Sequence, residues 1–110
     1  MKTDIQKRYL VKELRKMKVP LWTRVAEELE RPTRNMRSVN LSKISEHAGK
    51  EIILVPGKVL ATGSLDKKVT IAAFKFSMAA LNKIKSSGKA MSLKELMKSN
   101  PTGKGIKIIG

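Results

Sequence analysis

Apolar residues recur at helical spacing through the first third of the chain and in short, uninterrupted runs after it. Leu10, Leu14 and Met17 stand at i, i+4 and i+7, and Ile5 and Tyr9 are four apart, which predicts an amphipathic helix over residues 4–17. Arg8, Lys12 and Arg15 repeat that spacing on another face. Asp4 in the first turn and Lys16 and Lys18 near the end suit the helix dipole. Pro20, with its fixed φ, opens a second predicted helix that runs to about Arg31 and stops at Pro32. Its apolar stripe is Trp22, Val25, Ala26 and Leu29, and Arg24–Glu28 and Glu27–Arg31 are helical ion-pair spacings.

Residues 32–38 form a polar connector. Val39 begins a short strand, and Asn40 is placed to cap a helix from Leu41 to His47 that Gly49 closes. The period then changes. Glu51 to Val55 reads as a strand ended by Pro56-Gly57, a type II turn signature with Gly57 at positive φ. Lys58 to Ala61 resumes as strand, Gly63 marks a bend, and Val69 to Phe74 is a third strand. Ser77 caps a helix that ends at Gly88, with Ala80, Leu81 and Ile84 turned inward. Ser92-x-x-Glu95 is a capping box ahead of Leu96 and Met97, and Asn100-Pro101 ends that helix. Ile106, Ile108 and Ile109 read as a terminal strand. The pattern predicts an α/β protein of one domain: a helical, arginine-bearing segment over residues 1–38 and a compact α/β core over 39–110.

Composition adds two constraints. Aromatics are 4% of the chain, so the core must be aliphatic. The 24 lysines and arginines outnumber 9 acids, for a formal net charge of +15. A globule of this length has a radius of gyration of roughly 13 Å, and one-signed charge at that density repels itself. A polyanion relieves the repulsion; RNA, DNA and an anionic membrane surface all qualify on charge alone. The arginines are segregated: Arg8, Arg15, Arg24, Arg31, Arg34 and Arg37 precede residue 38, and every basic residue after it is lysine. Guanidinium forks onto phosphate and stacks on bases, whereas ammonium acts as a point charge, so the arginine-bearing third is the expected intimate contact. Within it, Arg31, Arg34, Asn35 and Arg37 on the connector form the best single site. Lys58 is expected at the tip of the Pro56-Gly57 turn, within reach of a phosphate.

Enzyme chemistry finds no constellation. The sequence has no cysteine and one histidine, His47, which is expected to face solvent. Val55-Pro-Gly-Lys-Val-Leu-Ala-Thr-Gly is not a P-loop, and no dinucleotide fingerprint surrounds Gly103 and Gly105. The serines lack a His and acid partner set, and Glu27 and Glu28 point in different directions on their helix. No run of ~20 apolar residues suggests a membrane span, and no apolar block in residues 1–10 suggests a signal peptide, so an intracellular soluble protein without a cofactor is expected. Trp22 sits in an apolar stripe and is expected in or at the edge of the core rather than stacked on a base. So few aromatics disfavour a sheet that stacks bases on aromatic pairs.

The sequence Val39-Asn40-Leu41-Ser42-Lys43-Ile44 followed by Val55-Pro56-Gly57-Lys58-Val59-Leu60 resembles the L-eighteen-e family of archaeal and eukaryotic large-subunit ribosomal proteins. Gly63-Ser64-Leu65, the Val69–Ala73 strand, Phe76-Ser77, the Trp22 helix and the Arg31–Arg37 connector extend the resemblance over essentially the whole chain. The short ends are similar to archaeal members, and the bacterial large-subunit protein fifteen is similar in its C-terminal domain. The resemblance implies a compact domain of irregular β-β-α units with an N-terminal helical segment that reaches onto rRNA. It also implies contact with neighbouring ribosomal proteins, a place in the cytoplasmic ribosome, and no small-molecule substrate or membrane. By local match, the contact residues it implies are Arg31, Arg34, Asn35, Arg37, Asn40, Lys43 and Lys58.

Overall fold

The aliphatic runs after residue 50 form the centre of a sheet in which every pairing is parallel. A computed structural model describes residues 5–30, 38–47, 49–65 and 68–109. The order is α1 (Ile5–Lys16), α2 (Pro20–Leu29), β1 (Ser38–Asn40), α3 (Leu41–His47), β2 (Ile52–Leu60), β3 (Thr70–Phe76), α4 (Met78–Ser87), β4 (Lys89–Ser92), α5 (Leu93–Ser99) and β5 (Ile106–Ile108). Strands run β1-β2-β3-β4 across the sheet, with β5 also on β2. A parallel sheet covered on both faces calls for continuous apolar strands rather than alternating ones, and Ile52 to Val55 and Ile71 to Ala73 meet that need.

The two faces build two cores. Ile53, Val55, Val59, Ile71 and Ala73 pack against Leu41 and Ile44 of α3 and Ala80 and Ile84 of α4. Leu54 and Ala72, pointing the other way, pack against Leu14 of α1, the Trp22–Leu29 stripe of α2, and Leu93, Leu96 and Met97 of α5. The first two helices therefore cover one side of the sheet. All four residues of the predicted α2 stripe are fully buried, while Tyr9 is 65% exposed, off the buried face of α1. Trp22 donates from Nε1 to the Pro101 carbonyl at 2.7 Å, which ties α2 to the turn after α5. Lys18, between α1 and α2, is held at φ 55, a left-handed conformation that L side chains rarely adopt.

The local signals at the starts of α4 and α5 hold. Ser77 Oγ accepts from the Ala80 amide, and Ser92 and Glu95 form the reciprocal capping box. Three expectations fail for non-local reasons. Pro56-Gly57 is not a turn: β2 runs straight through it, with a bulge opposite β3 between Val55 and Lys58. Proline is tolerated here because residue 56 has no register partner on either edge: β5 pairs with 52–54 and β1 with 58–60, and the bulge skips it opposite β3. Gly57 is not at positive φ; among the described residues the glycines that are positive are Gly63, Gly103 and Gly105. Asn40 does not cap α3, because the Ser42 amide bonds the Thr62 carbonyl instead, at 3.1 Å. Its Oδ1 is buried with no partner among the described residues. Strand β4 has no counterpart among the predicted elements. The connection from β2 to β3 is pinned by Lys83, which donates to the carbonyls of Ala61 and Gly63 at 2.8 and 2.9 Å. Gly63 has φ +95, and a Cβ there would lie 2.5 Å from the Ser42 Cβ.

Candidate nucleic-acid interface

No charged residue among the described ones is buried, so every described cation stands at the surface of a flat body with extents of 35 × 34 × 18 Å. Arg8 and Lys12 are exposed on α1, Arg24 on α2 and Lys43 on α3. Arg15, on the same face of α1 as Lys12, is ion-paired with Glu30 at the end of α2. That exposed pair is worth at most about 1 kcal/mol and leaves Arg15 half-committed inside the protein. Lys83 is a structural cation, since its donors serve the β2–β3 connection. Asn40, at the end of β1, is half-buried. Arg31, Arg34, Asn35 and Arg37 lie outside the described residues. Their connector joins Glu30 after α2 to Ser38, the first residue of β1.

Lys58 is exposed as expected, but it stands in a strand and not at a turn tip. Val59 beside it enters the α3–α4 core, so alternation turns Lys58 to the opposite face. Its register partners are Ser38 on β1 and Lys75 on β3. An exposed serine and two exposed lysines thus form one row across three strands, beginning at the residue that follows the arginine connector. Like charges on neighbouring strands destabilise a sheet, and an anion laid across the row removes that cost.

Sequence reasoning missed Lys75. The available signal was its place between Phe74 and Phe76, the only two phenylalanines of the chain. The Lys75 ammonium lies 5.6 Å from the Phe74 ring centroid. It also missed Lys16, Lys94 and Lys98, which the packing of α1 on α5 gathers with Glu13, Met17 and Met97 around a groove of about 270 Å³. The spacing of Lys94 and Lys98 is helical, but nothing local says that α5 lies beside α1.

A family model for the ribosomal proteins 50S-L15 and 50S-L18e, together with their 60S counterpart, matches residues 21–91. A large ribosomal subunit protein eL18 from Methanoregula boonei is 46% identical over 97 residues, covering 86% of this chain and 80% of its own. Its counterpart from Methanothermobacter thermautotrophicus is 44% identical over 106 residues, covering 91% of this chain and 88% of its own. One from Sulfurisphaera tokodaii is 41% identical over 109 residues, covering 97% and 92% respectively.

Proposed function

The chain belongs to the eL18 family of large-subunit ribosomal proteins, a structural and non-enzymatic family, and from that premise we propose that it binds large-subunit rRNA as a scaffold. As a ribosomal structural constituent it supports translation by holding RNA and neighbouring large-subunit proteins in place, within the cytoplasmic ribosome. The observation that carries the reading is the net charge of +15 with no described charge buried, a surface that repels itself until an anion lies on it.

Phosphate contacts dominate the binding, and the protein reads little sequence. Arg8, Lys12 and Arg15 on α1, Arg24 on α2, the connector residues Arg31, Arg34, Asn35 and Arg37, and Asn40, Lys43 and Lys58 on the sheet and α3 supply the contacts. Lys75 joins them through its register with Lys58. The arginines make forked contacts at close range, and the lysines add a broader field.

The test is a titration of the purified chain against protein-free large-subunit rRNA at increasing salt, with duplex DNA as competitor. Six to ten neutralised phosphates predict a loss of about a thousand-fold or more between 50 and 200 mM salt. Replacing Arg31, Arg34 and Arg37 together by Ala weakens RNA binding and leaves the circular dichroism spectrum unchanged. Salt-independent binding, or equal affinity for duplex DNA at matched salt, contradicts the proposal.

A further inference from the structure

Strand β4 pairs with β3 only over Thr70–Ala73, and β3 continues three residues beyond that, to Phe76. Over those residues no described strand covers the β4-side edge of β3. A groove of about 250 Å³ lies there. Its walls are Phe74, Phe76, Leu81, Ala90 and Met91, and Lys75 also lines it. The volume falls just below the roughly 300–1,000 Å³ of sites that engulf a whole small-molecule ligand, so it suits a single ring system. Both phenylalanines of the chain line it, each half-buried with surface still open. The acid at its rim, Glu95, directs its carboxylate at the Ser92 amide in the capping box.

Apolar ring surface beside unneutralised cations is the chemistry of a single-stranded nucleic-acid platform, where bases stack and phosphates meet ammonium groups. Lys75 is on a flexible stem, and in register beside it Lys58 repels it. We infer that this groove takes one unstacked nucleobase of an RNA whose backbone crosses Lys58 and Lys75. The inference rests on the rRNA-binding reading and gives that RNA a specific feature, an unpaired nucleotide at the end of β3. An extended peptide fits less well, because a free edge of three residues offers too few backbone hydrogen bonds to hold a strand. The scarcity of aromatics, which argued against stacking, loses its force once two of the four line one groove at the sheet edge, Phe74 from the α1–α2–α5 side and Phe76 from the α3–α4 side.

The experiment compares two single-stranded RNA pentanucleotides on the full chain, one with 2-aminopurine at its centre and one abasic there. The intact oligonucleotide binds about tenfold more tightly, and its fluorescence is quenched on binding. Phe74→Leu keeps the apolar volume, removes the ring and abolishes the difference. Lys75→Gln keeps the rings, weakens both oligonucleotides alike and preserves their ratio. Equal affinity for the two in the native chain overturns the inference, as does discrimination that survives in Phe74→Leu and in Phe76→Leu. If the same chain still binds large-subunit rRNA with steep salt dependence, only the groove assignment fails, and a neighbouring protein's side chain becomes its occupant. If it binds neither, the rRNA reading fails with it.

Discussion

Removing the Lys58 charge is expected to raise stability while it weakens RNA binding. The two residues are register partners on β2 and β3. Strands lie about 4.8 Å apart, and two ammonium groups near that distance repel by about 0.9 kcal/mol in water, less as their stems splay. Lys58→Gln keeps a polar side chain on a shorter stem and removes the repulsion, so it stabilises the fold by about 0.5 kcal/mol. Lys75→Gln gains the same relief but loses the ammonium 5.6 Å from the Phe74 centroid. An exposed cation–π contact is worth about 0.5–1 kcal/mol, so that variant is neutral or slightly destabilised. The double variant gains no second relief and matches Lys75→Gln alone. The signature is that Lys58→Gln stabilises only while Lys75 is present, a coupling of about 0.5 kcal/mol.

Trp22, the single tryptophan, is fully buried, so its emission follows urea unfolding; low salt keeps the repulsion unscreened. In the rRNA titration each substitution lowers affinity and reduces the salt slope by about 1. Lys58→Gln that destabilises by about 1 kcal/mol or more, an equal effect of Lys58→Gln in both backgrounds, or an unchanged salt slope would refute the reasoning.

Three further outcomes follow from local geometry. Gly63→Ala combines a φ of +95 with a Cβ 2.5 Å from the Ser42 Cβ, and is expected to cost about 1–3 kcal/mol; a thermal melt by circular dichroism unchanged from the parent would contradict it. Lys18→Gly relieves a left-handed lysine at φ 55 and is expected to stabilise by about 1 kcal/mol, so a lower urea midpoint would count against it. Glu30→Gln releases Arg15 from its ion pair, at a stability cost below about 1 kcal/mol, and leaves rRNA affinity equal or higher; weaker binding would show that Glu30 positions Arg15 for RNA.

The parts of the fold legible from the sequence are those that local chemistry decides. The Trp22–Leu29 stripe, the Ser77 cap and the Ser92–Glu95 box need only residues within a turn of one another. The run Pro56-Gly57 misled because its local preference is a turn, while pairing with β5, β1 and β3 draws it into one bulged strand. Strand β4 was illegible because Lys89-Ala-Met-Ser carries little strand signal of its own and is made a strand by β3. Asn40 has a capping side chain at a capping position, yet a carbonyl about twenty residues away, that of Thr62, takes the amide it would serve. The candidate interface divides in the same way. Arg8, Lys12, Arg24, Lys43 and Lys58 were visible as surface cations, and they are exposed. The Ser38–Lys58–Lys75 row was not visible, since register between strands is a non-local property.

A surface of cations that lies against large-subunit rRNA carries the protein into large-subunit particles. Tagged chain expressed in cells should migrate in a sucrose gradient with large-subunit particles and be released from them by high salt. Migration as free protein, with none in the large-subunit fractions, would contradict the account.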